Sequence, residues 1–252
     1  MKRKSLVLIS VVLLASVLLT ACGSGSTAKV TVALDATWPP FESVNESTKA
    51  LEGFDVALMD AIAKNQGFEV SYQNIPFDSV ITGMAQCQYD AAISAVTITE
   101  ERSKNMSFST PYFAAGQIVT VAKDNTSIAG KDSLSGKKVG AMIGTTGAIE
   151  AQKIQGVDYR AYDTIDLAFL DVISGQLDAV VADNPLSLGY VGKYPDKLKT
   201  VGDVFTDENY GIAVCKTKTD LLAKMNAGLE AVKKDGTFDK LVDQWVVKGG
   251  AE

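Results

Sequence analysis

Two stretches 88 positions apart, Tyr89-Asp90-Ala91-Ala92-Ile93-Ser94-Ala95 and Leu177-Asp178-Ala179-Val180-Val181-Ala182-Asp183, share one pattern: an acidic residue, an alanine and an apolar run. In each place a helical pattern ends, a turn passes and a strand emerges. The surroundings repeat as well. Lys29 to Leu34 reads as a strand, Phe54, Ala57, Leu58, Ala61 and Ile62 recur at helical spacing up to a stop at Gly67, and Phe68, Val70 and Tyr72 alternate as a second strand. Asp78 is expected to cap a short helix, and Tyr89 to Ser94 to form the third strand. The order then restarts: strand at Lys137 to Met142, helix from Gly144-Thr145-Thr146-Gly147, strand at Tyr159 to Tyr162, helix from Asp163 to Gly175. Strand and helix alternating in this way predict α/β layers with parallel strands, built twice as two related lobes. A helix from Asp220 to Lys234 follows. A last helix carries Phe238, Leu241, Val242 and Trp245 on one side, with Trp245 expected in the core.

The address of the chain is written at its start. Met1-Lys2-Arg3-Lys4 is cationic, and Leu6 to Leu19 is apolar apart from Ser10 and Ser16, the layout of a secretory signal and too short for a comfortable membrane span. Leu19-Thr20-Ala21-Cys22 resembles a bacterial lipoprotein processing site, which implies a signal peptide over 1–21, a lipid on Cys22 and a flexible tether over 22–28. Loss of residues 1–21 removes Lys2, Arg3 and Lys4 and takes the formal charge from −6 to −9. A chain so acidic has little electrostatic reason to bind nucleic acid or an anionic lipid surface. With no histidine in the sequence, Ser-His-Asp and Cys-His catalysis and the usual zinc sites are excluded. Neither a metal nor a cofactor is expected. Beyond Cys22 only Cys87 and Cys215 remain, which outside the cytoplasm admits either a disulfide or two buried thiols.

The residues that carry chemistry cluster after strands. Ser94, Thr97 and Thr99 offer hydroxyls and Arg102 a two-pronged planar donor, a combination suited to a carboxylate. Asp183 suits a cation, and the helix start at Thr145 to Gly147 offers backbone N–H groups to an anion. Together they describe an α-amino acid, with Trp38, Phe41 and Phe77 as flat apolar walls and Asp35 at the distal end. In open α/β sheets ligands sit beyond the carboxyl ends of strands, where all these loops lie. Each residue also has a plainer role: Arg102 in a surface pair with Glu100 or Glu101, Thr145, Thr146 and Asp183 as helix caps, Trp38 and Phe41 as core plugs.

Seven motifs in order, Asp35-Ala36-Thr37-Trp38-Pro39-Pro40-Phe41, Glu52-Gly53-Phe54-Asp55, Tyr89-Asp90-Ala91-Ala92, Thr97-Ile98-Thr99-Glu100-Glu101-Arg102, Phe108-Ser109-Thr110-Pro111-Tyr112, Gly144-Thr145-Thr146 and Asp178 to Asp183, resemble the family-3 extracellular solute-binding proteins that deliver polar amino acids to ABC importers. The resemblance covers nearly the whole chain after Cys22. It implies a two-lobe periplasmic-binding-protein fold of type II, with two hinge strands and the ligand cleft between the lobes. Lobe 1 would comprise 29–115 and 211–252, and lobe 2 would comprise 116–210. By the same resemblance Arg102 pairs with a ligand α-carboxylate, assisted by Thr97 and the backbone near Ser94 and Thr146. Asp183 holds the α-ammonium, Trp38 and Phe77 sandwich the side chain, Asp35 approaches its tip, and Gln117 contributes from the first hinge.

The resemblance also implies a disulfide. Cys215 closes a strand, Tyr210 to Val214, that in this family runs antiparallel beside the strand starting near Asp90, close to Cys87. Some relatives that favour glutamine carry lysine where this chain has Met142, so a cationic, arginine-like amino acid leads and glutamine follows. The implied partners are a free L-amino acid, the membrane subunits of an ABC importer, and the membrane itself through the Cys22 lipid, with the protein acting as a monomer outside the cytoplasm. Two rivals stand beside this reading: a sensor that reports to a receptor, and an extracytoplasmic dehydratase on the same fold with Asp35 as general acid.

Overall fold

The computed structural model describes residues 28–250; the signal segment and Cys22 lie outside the described residues. Strand β1 (Lys29–Leu34) runs parallel to β5 (Glu69–Asn74) on one side and to β6 (Ala91–Ala92) on the other. Next to β6 stands β15 (Ala213–Cys215) and then β7 (Met106–Phe108), each antiparallel to its neighbour, giving the order β5-β1-β6-β15-β7. The second sheet repeats this plan. Its β10 (Lys138–Met142) is parallel to β11 (Asp158–Tyr162) and β12 (Ala179–Asp183), followed by antiparallel β9 (Gln117–Ala122) and β13 (Leu198–Val201) in the order β11-β10-β12-β9-β13. Parallel strands, expected throughout, hold for four of the five in each sheet, since β7 and β13 point the same way as the first three. Only β15 and β9 run the other way: the chain reaches β7 and β13 by crossovers through the helices 100–105 and 184–193, but enters β15 and β9 directly from the ribbon that joins the sheets.

The repeated aspartates have one task. Asp90 Oδ2 accepts from the Thr31 N–H at 2.7 Å and from Thr31 Oγ1 at 2.9 Å, and Asp178 Oδ2 accepts from the Lys138 N–H at 2.7 Å. Each carboxylate closes the open start of the neighbouring strand, so the shared Asp-Ala pattern marks equivalent strands in two equivalent sheets. The third strand is shorter than Tyr89 to Ser94: only Ala91 and Ala92 join the ladder.

The helices follow their caps. Helix α1 (Phe54–Gln66) buries Phe54, Leu58 and Ile62 and ends at Gly67, whose φ of 68° supplies the left-handed turn. It begins at Gly53 (φ 127°), where an added Cβ would stand 2.2 Å from the Phe41 carbonyl oxygen, so only glycine fits. Helix α2 (Phe77–Ala85) corrects an expectation. Asp78 lies inside its first turn, and the first N–H is taken by Asp35 Oδ2 at 3.0 Å from Phe77 N. Short α3 (Glu100–Asn105) is capped by Thr99, which accepts from the Arg102 N–H. Helix α4 (Thr146–Lys153) is capped by Thr145, which accepts from Ala148 N at 3.1 Å, and α5 (Ile165–Ser174) stops at left-handed Gly175. Helix α6 (Asn184–Lys193) follows β12 directly; α7 (Thr219–Lys234) packs on α1, with Gly228 against Ile62. The final helix α8 (Thr237–Leu241) continues as a π-helical stretch, Val242–Val247, and Trp245 there is half-buried against the core rather than fully inside it.

Two ribbons complete the frame. Strands β2 (Thr37–Trp38), β3 (Glu42–Val44) and β4 (Leu51–Glu52) fold over the end of β1, and β8 (Phe113–Ala115) pairs antiparallel with β14 (Glu208–Tyr210) to join the two sheets. The strand expected over Tyr210 to Val214 is thus split at Gly211-Ile212 into β14 of this ribbon and β15 of the first sheet. Cys87, in a left-handed turn after α2, is disulfide-bonded to Cys215, with a Cα separation of 5.0 Å. The ladder explains the meeting: Val214 pairs with Ala91, and the Cys215 N–H donates to the Asp90 carbonyl.

Candidate functional site

The loops after β1, β6, β10 and β12 converge at the carboxyl ends of the parallel strands of both sheets. Arg102 is 8% exposed and lies inside, away from Glu100 and Glu101; Glu101 pairs instead with exposed Lys104. Its Nη1 donates to the Thr97 carbonyl at 2.7 Å and its Nη2 to the Gly144 carbonyl at 2.9 Å, so the guanidinium spans the first and second sheets. Burial lowers the Arg102 pKa to about 10, while Asp183 and Glu208 nearby favour its charge; it remains a cation at neutral pH. Its carbon stands 5.5 Å from the centre of the Phe77 ring.

Phe77 and Trp38 form nearly parallel walls, with centroids 6.3 Å apart and planes at 14°. Asp35 stands beside them, almost fully buried. It accepts from Thr37 Oγ1 at 2.9 Å and from the Phe77 N–H, so the same carboxylate that faces the walls also caps α2. Burial raises its pKa, and Asp166 at the start of α5 adds to the rise. Phe41 is fully buried in an aromatic cluster with Phe54, Phe113 and Tyr210, the core role rather than a wall of the site.

The hydroxyls are engaged within the protein. Ser94 Oγ donates to Glu42 at 2.7 Å and accepts from the Asp35 N–H at 3.0 Å, Thr99 caps α3, and Thr97 Oγ1 donates to Glu208 Oε2 at 2.9 Å. Hydroxyls alone therefore do not form an open carboxylate cradle; Arg102 and backbone groups are the donors left to do so.

On the second sheet Gln117 opens β9 and Asp183 closes β12, directly opposite each other in the ladder. Gln117 Nε2 donates to Asp183 Oδ1, lies 3.1 Å from Thr146 Oγ1 and 3.2 Å from Glu208 Oε1, and so has more acceptors than hydrogens. Tyr210 donates to Asp183 Oδ2 at 2.6 Å. Asp183 does not cap α6 with its side chain. Burial first, and the Glu208 charge second, push its pKa up to about 7. All nine residues expected at the site are thus contiguous: Ser94, Asp35, Trp38 and Phe77 on one flank, and Thr97, Arg102, Gln117, Thr146 and Asp183 around a centre that sequence reasoning missed, Glu208.

Glu208, Tyr210 and Asp166 gave no sequence signal. Glu208 sits in the polar run Thr206-Asp207-Glu208-Asn209 and reaches Thr97 across 111 residues, a contact created by topology. Asp166 has a buried Oδ1 without a hydrogen-bond partner and raises the pKa of both Asp35 and Tyr190, whose hydroxyl lies 3.4 Å from the Thr37 carbonyl. Among the described residues no group of acidic or sulfur ligands is placed to hold a metal ion, and no helix is long and apolar enough to cross a membrane.

The bacterial extracellular solute-binding proteins, family 3, match this sequence over residues 30–248. The chain belongs to that family. Among the relatives of this solute-binding protein, the ABC transporter arginine-binding protein 1 of Escherichia coli K12 is 36% identical, over 88% of this chain and 93% of its own length. The L-cystine-binding protein TcyJ of the same organism is also 36% identical, over 85% of this chain and 81% of its own. A solved ancestral arginine-binding protein bound to arginine superposes with a TM-score of 0.83 at 42% identity, covering 86% of this chain and 98% of its own. The two equivalent sheets and the joining ribbon are accordingly the two lobes and hinge of the type II periplasmic-binding-protein fold. The solute-binding protein is extracytoplasmic, and it is a binding protein rather than an enzyme, as these relatives are.

Proposed function

We propose that this protein captures a cationic, arginine-like L-amino acid outside the cytoplasm and delivers it to an ABC importer. The observation that carries the reading is the juxtaposition of buried Arg102 with buried Asp183 beside the nearly parallel Trp38 and Phe77 rings, with Asp35 and the Asp166 charge also beside those rings. A zwitterionic α-carbon matches the first pair. Arg102 would hold the carboxylate with backbone N–H groups near Ser94 and Thr146, while Asp183, oriented by Gln117 and Tyr210, would hold the ammonium. An aliphatic stem or guanidinium plane would stack against these flat rings, and the acidic end favours a positive tip. The relatives named for arginine support the choice.

The lobes would be 29–115 with 211–252, and 116–210, closing about the β8–β14 ribbon. Cys22 would carry the lipid that holds the protein at the membrane beside its importer. A thermal-shift screen of refolded, ligand-stripped protein against the twenty amino acids tests the function, because a ligand bound only by the native state raises its melting temperature. A large shift with arginine, lysine or histidine is expected. A larger shift with glutamine would overturn the role of the acidic end, and no shift with any amino acid would overturn the proposal.

A further inference from the structure

Glu208 receives four donors from four parts of the chain. Its Oε2 accepts from Thr97 Oγ1 at 2.9 Å and Thr146 Oγ1 at 2.7 Å, and its Oε1 from Thr206 Oγ1 at 2.8 Å and Gln117 Nε2 at 3.2 Å. An ionised carboxylate has about four lone-pair sites, so this one is fully used. Thr97 follows β6 of the first sheet; Thr146 opens α4 on the second. One oxygen atom therefore holds a hydroxyl from each lobe. Its own backbone lies in the joining ribbon, where Glu208 pairs with Ala115. We propose that Glu208 is a positioning residue of the hinge, whose carboxylate fastens Thr97 of one lobe to Thr146 of the other and so couples occupation of the cleft to its closure.

The physical reason is the fixed reach of the side chain. The neighbours of Thr97 are tied to β14, since Ile98 N donates to the Asn209 carbonyl and Gly211 N to the Val96 carbonyl, so Thr97 and Glu208 stay together whatever the lobes do. Thr146 rides on the second sheet. Gln117 and Thr206 also tie Glu208 to that side, so it is the whole Thr97–Glu208–Thr146 bridge that is complete only when the lobes are apposed, and it forms beside the two groups, Arg102 and Asp183, that the proposed ligand would bridge. This last point rests on the amino-acid reading; the coupling of Glu208 to lobe apposition does not.

Two measurements on wild type, Glu208→Gln and Glu208→Ala test it. Small-angle scattering of the ligand-stripped proteins reads lobe apposition directly and needs no ligand: both variants should have a larger radius of gyration than wild type. Stopped-flow dissociation of L-arginine should be roughly tenfold faster in Glu208→Gln, the size expected when buried hydroxyls lose an acceptor. A purely structural glutamate would lower the melting temperature of the stripped protein and leave radius and dissociation rate unchanged, and that outcome would overturn the inference. Should Glu208→Ala fail to fold, the glutamine variant, nearly identical in shape, carries the test. Should wild type bind no L-arginine, the functional reading fails, while the scattering comparison still decides the hinge role.

Discussion

Glu42 and Asp55 meet in the core beneath the Ser94–Ala95 turn, both without solvent exposure. Glu42 Oε1 accepts from Ser94, and Asp55 Oδ2 accepts from the Ala95 N–H and Tyr112 hydroxyl, each at 2.8 Å. Glu42 Oε2 and Asp55 Oδ1 are buried without a hydrogen-bond partner, and one proton shared between the two carboxyls would satisfy both. Burial raises both pKa values, Glu42 well above its ordinary range and Asp55 to about 7. A carboxyl that binds its proton more tightly folded than unfolded makes stability fall as pH rises from about 4 towards the folded value. Glu42→Gln, which keeps a donor towards Asp55 and an acceptor for Ser94, should flatten that decline in urea titrations between pH 5 and 8. Glu42→Ala should cost about 1–3 kcal/mol by leaving Ser94 without its acceptor and Asp55 without its donor. Asp183 extends the same logic to binding. With its pKa at about 7, it must be ionised to hold an ammonium, so ligand binding at pH 6 should release a proton. Affinity should weaken by up to about tenfold per pH unit below 7. Calorimetry in buffers of unlike ionisation heat checks the proton; equal apparent heats would refute the assignment.

At the scale of elements, the Cys87–Cys215 bond closes 128 residues of chain, yet it stands far from the chemistry. Because β15 runs antiparallel to β6, Cys215 lies opposite Asp90, at the amino end of the parallel strands, while Asp35, Ser94 and Arg102 occupy the carboxyl end. Replacing both cysteines by serine should lower stability by about 2–5 kcal/mol, seen as a drop in melting temperature, with ligand affinity unchanged. The elements most legible in the sequence were those with local signals: Gly67 and Gly175 stop α1 and α5 where a left-handed residue is needed, and Thr145 caps α4. Where a distant group intervened, legibility failed. Asp78 looked like the cap of α2, but Asp35 supplies that bond from 42 residues away, freeing Asp78 to sit in the first turn. The strand across Tyr210 to Val214 is continuous in pattern but belongs to two sheets, a division fixed by the hinge and invisible to periodicity.

Across the whole molecule, the repeated Asp-Ala strands foretold two equivalent sheets, and with them a site at the carboxyl ends of both. The half of the site borne on loops next to those strands could be read; Glu208 and Tyr210, brought in by the ribbon that joins the lobes, could not. The same geometry underlies the proposed specificity. Asp35 follows β1 of the first sheet and Asp166 opens α5, which packs against β2 from the second, and the Asp166 charge adds to the rise that burial imposes on Asp35, an effect that a positive ligand tip would offset. Neutral tips gain nothing from such a pair. Asp166→Asn removes one charge while keeping the shape, so arginine affinity should fall by about tenfold and glutamine affinity should hold or rise. Isothermal titration of both amino acids on both proteins gives the answer as a ratio, which cancels any general loosening of the fold. If arginine and glutamine weaken equally, Asp166 merely supports α5, and the preference for a positive tip rests on Asp35 alone.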